Sequence, residues 1–97
     1  MFFHTREQAN PWVEFDLERT VPISRIVVAN RTDCCQERAI PLTIETSVDR
    51  RTWREIARRD DSFVTWDKTF LFRPHARYVR LRSMHVAAFH LARVEIH

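Results

Sequence analysis

A chain of 97 residues that is 44% hydrophobic and 11% aromatic has the make-up of one globular domain with its own core, not of a disordered or fibrous segment. No apolar run approaches the roughly 20 residues a membrane-spanning helix needs, and Met1-Phe2-Phe3-His4-Thr5 lacks the basic and long apolar regions of a secretory signal, so a soluble chain is expected. The formal charge is +3, but the 16 basic residues, all arginine except Lys68, are scattered instead of clustered; nucleic acid is not an expected partner.

Residues 6–10 are polar and Pro11 closes them as a loop. In 12–17, Val13, Phe15 and Leu17 alternate with Glu14 and Asp16, the period of a half-buried strand. Val21-Pro22-Ile23 leads into a near-continuous apolar strand at 24–29, with Pro22 expected at a sheet edge or strand start. Alternation returns at 42–46, 47–52 reads as a hairpin connection, and 53–57 as the returning strand. Residues 58–65 are polar apart from Phe63-Val64, and 69–72 reads as a short strand stopped by Pro74. The clearest strand is 78–82, where Arg80 and Arg82 alternate with Val79 and Leu81 and belong on a solvated face. A loop at 83–89 precedes the last strand at 91–96. Apolar residues never recur at helical spacing beyond two turns, and about seven short strands with turns every 8–12 residues predict an all-β sandwich. The absence of glycine leaves Asp, Asn, Ser, Arg and Pro to make the turns.

The densest chemistry lies in Asn30-Arg31-Thr32-Asp33-Cys34-Cys35-Gln36-Glu37-Arg38, between two strand-like runs. In an extended start to this stretch, Arg31 and Asp33 share a side, and Asp33 can orient one guanidinium or both. Two such forks suit hydroxyl-rich, carboxylate or phosphate ligands; a surface ion-pair cluster contributing about 0–1 kcal/mol fits the same residues equally well. Cys34 and Cys35 also admit two readings. A bond between neighbours is strained and closes almost no loop, so it would serve only to stiffen the stretch and present sulfur; two partly buried thiols are the other. A zinc site is disfavoured, because adjacent cysteines do not readily share one tetrahedral ion and no second pair exists. His85, His90 and His97 have no metal-ligand spacing, and no nucleophile–base signature or acid–base carboxylate pair stands out, so no enzyme is expected. Trp12, Trp53 and Trp66 fit packing roles better than sugar platforms.

From His4 almost to the C-terminus the sequence resembles a discoidin (coagulation factor 5/8 type C) domain. The resemblance is carried by Pro11-Trp12-Val13-Glu14-Phe15-Asp16-Leu17, Ser47-x-Asp49-x-x-x-Trp53, Ala76-Arg77-Tyr78-Val79-Arg80-Leu81 and Leu91-x-x-Val94-Glu95-Ile96. It implies a galactose-binding-like jelly-roll sandwich of antiparallel strands. His4, followed 27 positions later by Arg31-Thr32-Asp33-Cys34-Cys35-Gln36-Glu37-Arg38, is more specific and resembles the F-type (fucose-binding) lectins. That resemblance implies that His4, Arg31 and Arg38 hydrogen-bond a fucose-like sugar, that Asp33 orients the arginines, and that a Cys34–Cys35 disulfide packs under the apolar edge of the ring.

The departures also carry expectations. The family's usual first strands, its calcium-binding loop and part of its pocket precede the histidine and are not in this sequence, so residues 1–97 are expected to form a single domain that is partial at its N-terminus. Arg93 stands where an acid of the calcium site is expected, and no metal or other cofactor is predicted. Arg50 replaces the usual glycine after Asp49, which puts the geometry of that hairpin in question. The expected function is binding of a glycan, fucose or a related sugar. The alternative is an interaction module that docks a protein, an acidic polymer or a membrane surface through its arginines. Open sheet edges predict a homo-oligomer or attachment to a larger protein, and oxidised cysteines would imply an extracellular or cell-surface setting.

Overall fold

The computed structural model describes residues 2–3, 12–30, 40–83 and 91–97. Its eight strands are β1 (Phe2–Phe3), β2 (Trp12–Pro22), β3 (Arg25–Asn30), β4 (Leu42–Ser47), β5 (Arg54–Arg59), β6 (Thr65–Thr69), β7 (His75–Ser83) and β8 (Leu91–Ile96). They form two four-stranded antiparallel sheets, ordered β1-β8-β3-β6 and β2-β7-β4-β5. This is the all-β sandwich that the alternation predicts and the galactose-binding-like jelly roll that the resemblance implies.

The core lies between the sheets. Ile26, Val28, Trp66, Val94 and Ile96 from the first sheet meet Phe15, Leu17, Leu42, Ile44, Val79 and Leu81 from the second. Each fully buried aliphatic side chain contributes on the order of 1.5–3 kcal/mol. The period-two alternation of β2 and β7 survives because one face of each strand joins this core and the other meets solvent.

Three expectations shift. The strand expected at 69–72 lies instead at Thr65–Thr69. Phe70 is buried, but Leu71 is 92% exposed and the chain turns there, so the Phe-Leu-Phe run is a core anchor followed by a turn. β6 pairs only with β3 and buries only Trp66, and an edge strand so polar has no apolar alternation to reveal it. β2 runs on to Pro22 across a register shift between Asp16 and Val21, which places Pro22 at the end of an edge strand. Phe2 and Phe3, for which the alternation predicts no strand, pair with Glu95 and Val94 on β8.

The hairpin of the Ser47-x-Asp49 motif keeps its turn without glycine. Arg50 takes the left-handed conformation, with φ of 64°. The Ser47 hydroxyl accepts the N–H groups of Asp49 and Arg50, and the Asp49 carboxylate accepts those of Arg51 and Thr52. Side-chain acceptors thus supply the partners that the reversing backbone cannot find for itself.

Candidate functional site

Topology gathers the connections of this sandwich at its two ends. β3 runs toward Leu91, the start of β8, and β1 runs the same way along the opposite side of β8. In the second sheet, Trp12 at the start of β2 pairs with Arg82, and Leu42 at the start of β4 pairs with Ser83 and Arg59. The strand ends that flank 4–11, 31–41, 60–64 and 84–90 therefore all lie at one end of the sandwich, the rim. The opposite end, the pole, carries 23–24, the hairpin 48–53 and the turn 70–74.

His4, Arg31, Asp33, Cys34, Cys35 and Arg38 all lie outside the described residues. The strands that deliver them are described. β1 ends one residue before His4, and β3 ends one residue before Arg31. With only β8 between them, β1 and β3 are two strand spacings apart, about 10 Å. The ends of two strands that are far apart in sequence are thus separated by a single intervening strand.

Asn30, which reads in the sequence as the first residue of a loop, is instead the buried last residue of β3. Its backbone N–H donates to the Val64 carbonyl at 2.8 Å, and its side-chain amide donates to the Phe63 carbonyl at 3.2 Å. It ties the connection 60–64 to the strand that leads into Arg31. Phe63 packs at a 6.0 Å ring separation from Trp66, and the Arg59 guanidinium lies 5.7 Å from the Phe63 ring centre. A polar residue closing an apolar β-branched run is the signal for such a tie, though the run alone does not say what the residue holds.

The outer face of the second sheet is a lattice of guanidiniums, carboxylates and rings. Arg77 makes a forked pair with Asp16 at 2.9 and 3.1 Å, and Arg50 reaches across the sheet to Glu14. Both guanidiniums also lie over the Tyr78 ring, at 5.1 and 5.4 Å. Arg80 donates to the buried Glu45 carboxylate at 2.7 Å and sits 4.1 Å from the centre of the Trp53 ring. Donation from Arg77, followed by the Glu18 N–H, holds the Asp16 carboxyl below its ordinary pKa. On the first sheet, the forked pair with Arg25 does the same for Asp67. Among the described residues no group of three His, Cys, Asp or Glu side chains gathers in a way that would hold a metal ion. Arg93, at the position of the expected calcium acid, instead lies 3.7 Å from Glu95.

Of the three tryptophans, Trp66 is core, Trp53 is half-buried under Arg80, and Trp12 is 41% exposed at the rim. Packing accounts for the first two. Trp12 stands out as an indole that the fold leaves open at the rim, where β2 begins.

Comparison with known proteins adds to this geometry. Over 35 residues, 36% of the chain, it is 46% identical to a fucolectin of Anguilla anguilla, and those residues are 22% of that protein. The match covers 22% of that fucolectin and 8% of a pentraxin fusion protein of Xenopus laevis, to which the chain is 37% identical over 35 residues. Among solved structures, the fucolectin from striped bass (Morone saxatilis) serum superimposes with a TM-score of 0.82 at 27% identity, covering 99% of this chain and 35% of that one. The lectin domain of lectinolysin, solved with Lewis B antigen, has a TM-score of 0.73 at 24% identity, over 99% of this chain and 70% of that one, a likeness of fold. Residues 2–81 match the F5/8 type C family described as the NedA-like, galactose-binding domain. The protein therefore belongs to the F5/8 type C, NedA-like galactose-binding domain family, with its similarities on the F-type lectin branch.

Proposed function

We propose that this domain binds carbohydrate without catalysing a reaction on it, and that the sugar is fucose or a close relative held at the rim. His4, Arg31 and Arg38 donate to its ring oxygen and hydroxyls. Asp33 orients the guanidiniums, and a Cys34–Cys35 disulfide offers an apolar plate to one edge of the ring. A sugar presents many weak donors and acceptors around an apolar body, so two rigid forks and one apolar surface fix its orientation. Residues 1–97 act as a single sugar-binding domain.

The observation that supports this reading most is the placement of β1 and β3 on either side of β8, both running toward the rim. The names of the similar fucolectins point the same way. Docking of a polyanion through the arginines has less support, because Arg25, Arg50, Arg58, Arg77 and Arg80 each have a carboxylate within 3 Å.

The test is calorimetric or NMR titration of the oxidised protein with L-fucose, with galactose for comparison, in low and high salt. Saturable binding of fucose that is nearly independent of salt and is abolished by Arg38→Ala is expected. Absence of a saturable response at millimolar sugar overturns the proposal.

A further inference from the structure

One guanidinium on the outer face of the second sheet differs from its neighbours. Arg50, Arg77 and Arg80 each hold a carboxylate at hydrogen-bond distance. Arg82 does not. It comes no closer than 3.7 Å to Glu45, whose carboxylate is already engaged by Arg80. Its Nε is buried without an acceptor, while the side chain as a whole is 41% exposed, so the terminal nitrogens face solvent. Glu55, the cross-strand partner of Glu45, is exposed on edge strand β5 and forms no ion pair among the described residues.

Position makes this surplus useful. Arg82 is the last outward-facing residue of β7, one residue before Ser83 and the connection 84–90. Its direct partner across the ladder is Trp12, the exposed indole that begins β2 immediately after the connection 4–11. On its other side Arg82 pairs with Thr43, whose hydroxyl donates to the Arg82 carbonyl at 3.3 Å. Beyond Thr43 lies Arg58, which is neutralised by Asp60 at 2.8 Å. The row across the sheet next to the rim thus contains one part-exposed cation, held only by a long 3.7 Å ion pair, beside one exposed aromatic ring. An indole offers an apolar face to the C–H side of a pyranose, and a guanidinium with free terminal nitrogens accepts a two-oxygen anion in parallel hydrogen bonds.

We propose that Arg82 and Trp12 form a second sugar subsite, over the edge of the rim, for a sugar that bears an anionic group, either a sulfate ester or a carboxylate. The subsite rests on the carbohydrate reading of the rim but not on its being fucose-specific. The ligand class it assigns is an acidic glycan whose charged residue neighbours the sugar bound at the primary site.

The experiment compares L-fucose with three fucose-terminated disaccharides, whose second sugar is neutral, sulfated or a uronic acid. In the wild-type domain an anionic disaccharide binds about ten- to a hundredfold more tightly than the neutral one, the range for hydrogen bonds to a charged group. Whether the sulfated or the uronic arm gains identifies the anion. In Arg82→Gln, shown to be folded by its thermal melt, this advantage disappears while L-fucose binds as before; Arg82→Lys recovers part of it. Trp12→Ala weakens every disaccharide and leaves the monosaccharide unchanged. Equal affinity for neutral and anionic disaccharides, or an advantage that persists in Arg82→Gln, overturns the subsite. Equally Arg82-dependent binding of a DNA duplex overturns its assignment to sugars. If L-fucose fails to bind but an anionic disaccharide binds through Arg82, the fucose reading falls and the subsite stands. If no sugar binds, both fall.

Discussion

The two ends of the sandwich solve different problems. At the rim, the connection 60–64 passes from one sheet to the other and is held by the buried Asn30 through two carbonyls. At the pole, the connections are tight reversals. Here lie all the described residues with positive φ: Glu18 at 72°, Arg50 at 64° and Arg73 at 42°. A chain without glycine has put a glutamate and two arginines where glycine is favoured. It stabilises these turns with local acceptors such as Ser47 and Asp49. The pole is organised for closure of the chain, whereas at the rim the ends of strands from both sheets come together. The rim should therefore be the end where a substitution disturbs ligand binding, and the pole the end where backbone changes alter stability alone.

The sharpest way to break this comparison is at Asn30. Replacing it with alanine removes the amide donor to Phe63 and leaves a buried carbonyl without that partner. A loss of about 1–3 kcal/mol is expected in urea denaturation, together with weaker fucose binding, since the strand leading to Arg31 keeps only its backbone bond to Val64 as a tie to 60–64. A variant with unchanged stability and affinity would mean that Asn30 does not organise the rim.

The opposite sign is expected at the pole. Glu18 is exposed and left-handed, at the register shift of β2. Glu18→Gly removes the Cβ clash of that conformation but gives the unfolded chain more freedom. The first effect exceeds the second, and a net gain of about 0.5–1 kcal/mol is expected. Sugar affinity should be the same as in the parent. A destabilised variant, or one with altered affinity, would show that the strain at the pole is connected to the rim.

The sequence reveals the elements that have one wet and one dry face. β2, β7 and β8 are visible because Phe15, Leu17, Val79, Leu81, Val94 and Ile96 recur at period two and all enter the core. β6 escapes because Trp66 is its only buried side chain, and Phe70-Leu71-Phe72 beside it is more apolar than the strand itself. β1 is only two residues long and exists through pairing with β8, which no local pattern announces. The motif residues stand out by their spacing from His4, but that β1 and β3, the strands that lead to them, end on the same side of the sandwich depends on strand order, a property of the whole fold. Arg82 looks in the sequence like the other outward arginines of β7. Only the geometry of Glu45, engaged by Arg80, shows that the ion pair of Arg82 is long, at 3.7 Å, and that its Nε has no acceptor.

Acid offers the finest probe of the difference between the ends. Asp49 has its carboxyl held below the ordinary pKa by the Thr52 and Arg51 N–H groups and the Ser47 hydroxyl. Asp16 and Asp67 are held down by Arg77 and Arg25. None of the three lies on a rim connection. A carboxyl whose pKa falls on folding stabilises the folded state wherever it is ionised. That contribution is complete above the unfolded value of about 3.9 and is lost as pH drops through the lower, folded value. The melting temperature should therefore be insensitive to these groups from neutral pH to about pH 5 and decline below about pH 4. Because all three carboxylates are exposed and screened, each step is small. In NMR-monitored hydrogen exchange, the Arg51 and Thr52 amides should lose protection at a higher pH than the Asn30 amide, whose acceptor is a carbonyl and does not titrate. Asp49→Asn should lower stability near neutral pH, and its deficit should shrink as the parent is acidified. If Asn30 opens first, or the Asp49→Asn deficit is constant down to the lowest pH, the pole is not closed by its ionised side chains.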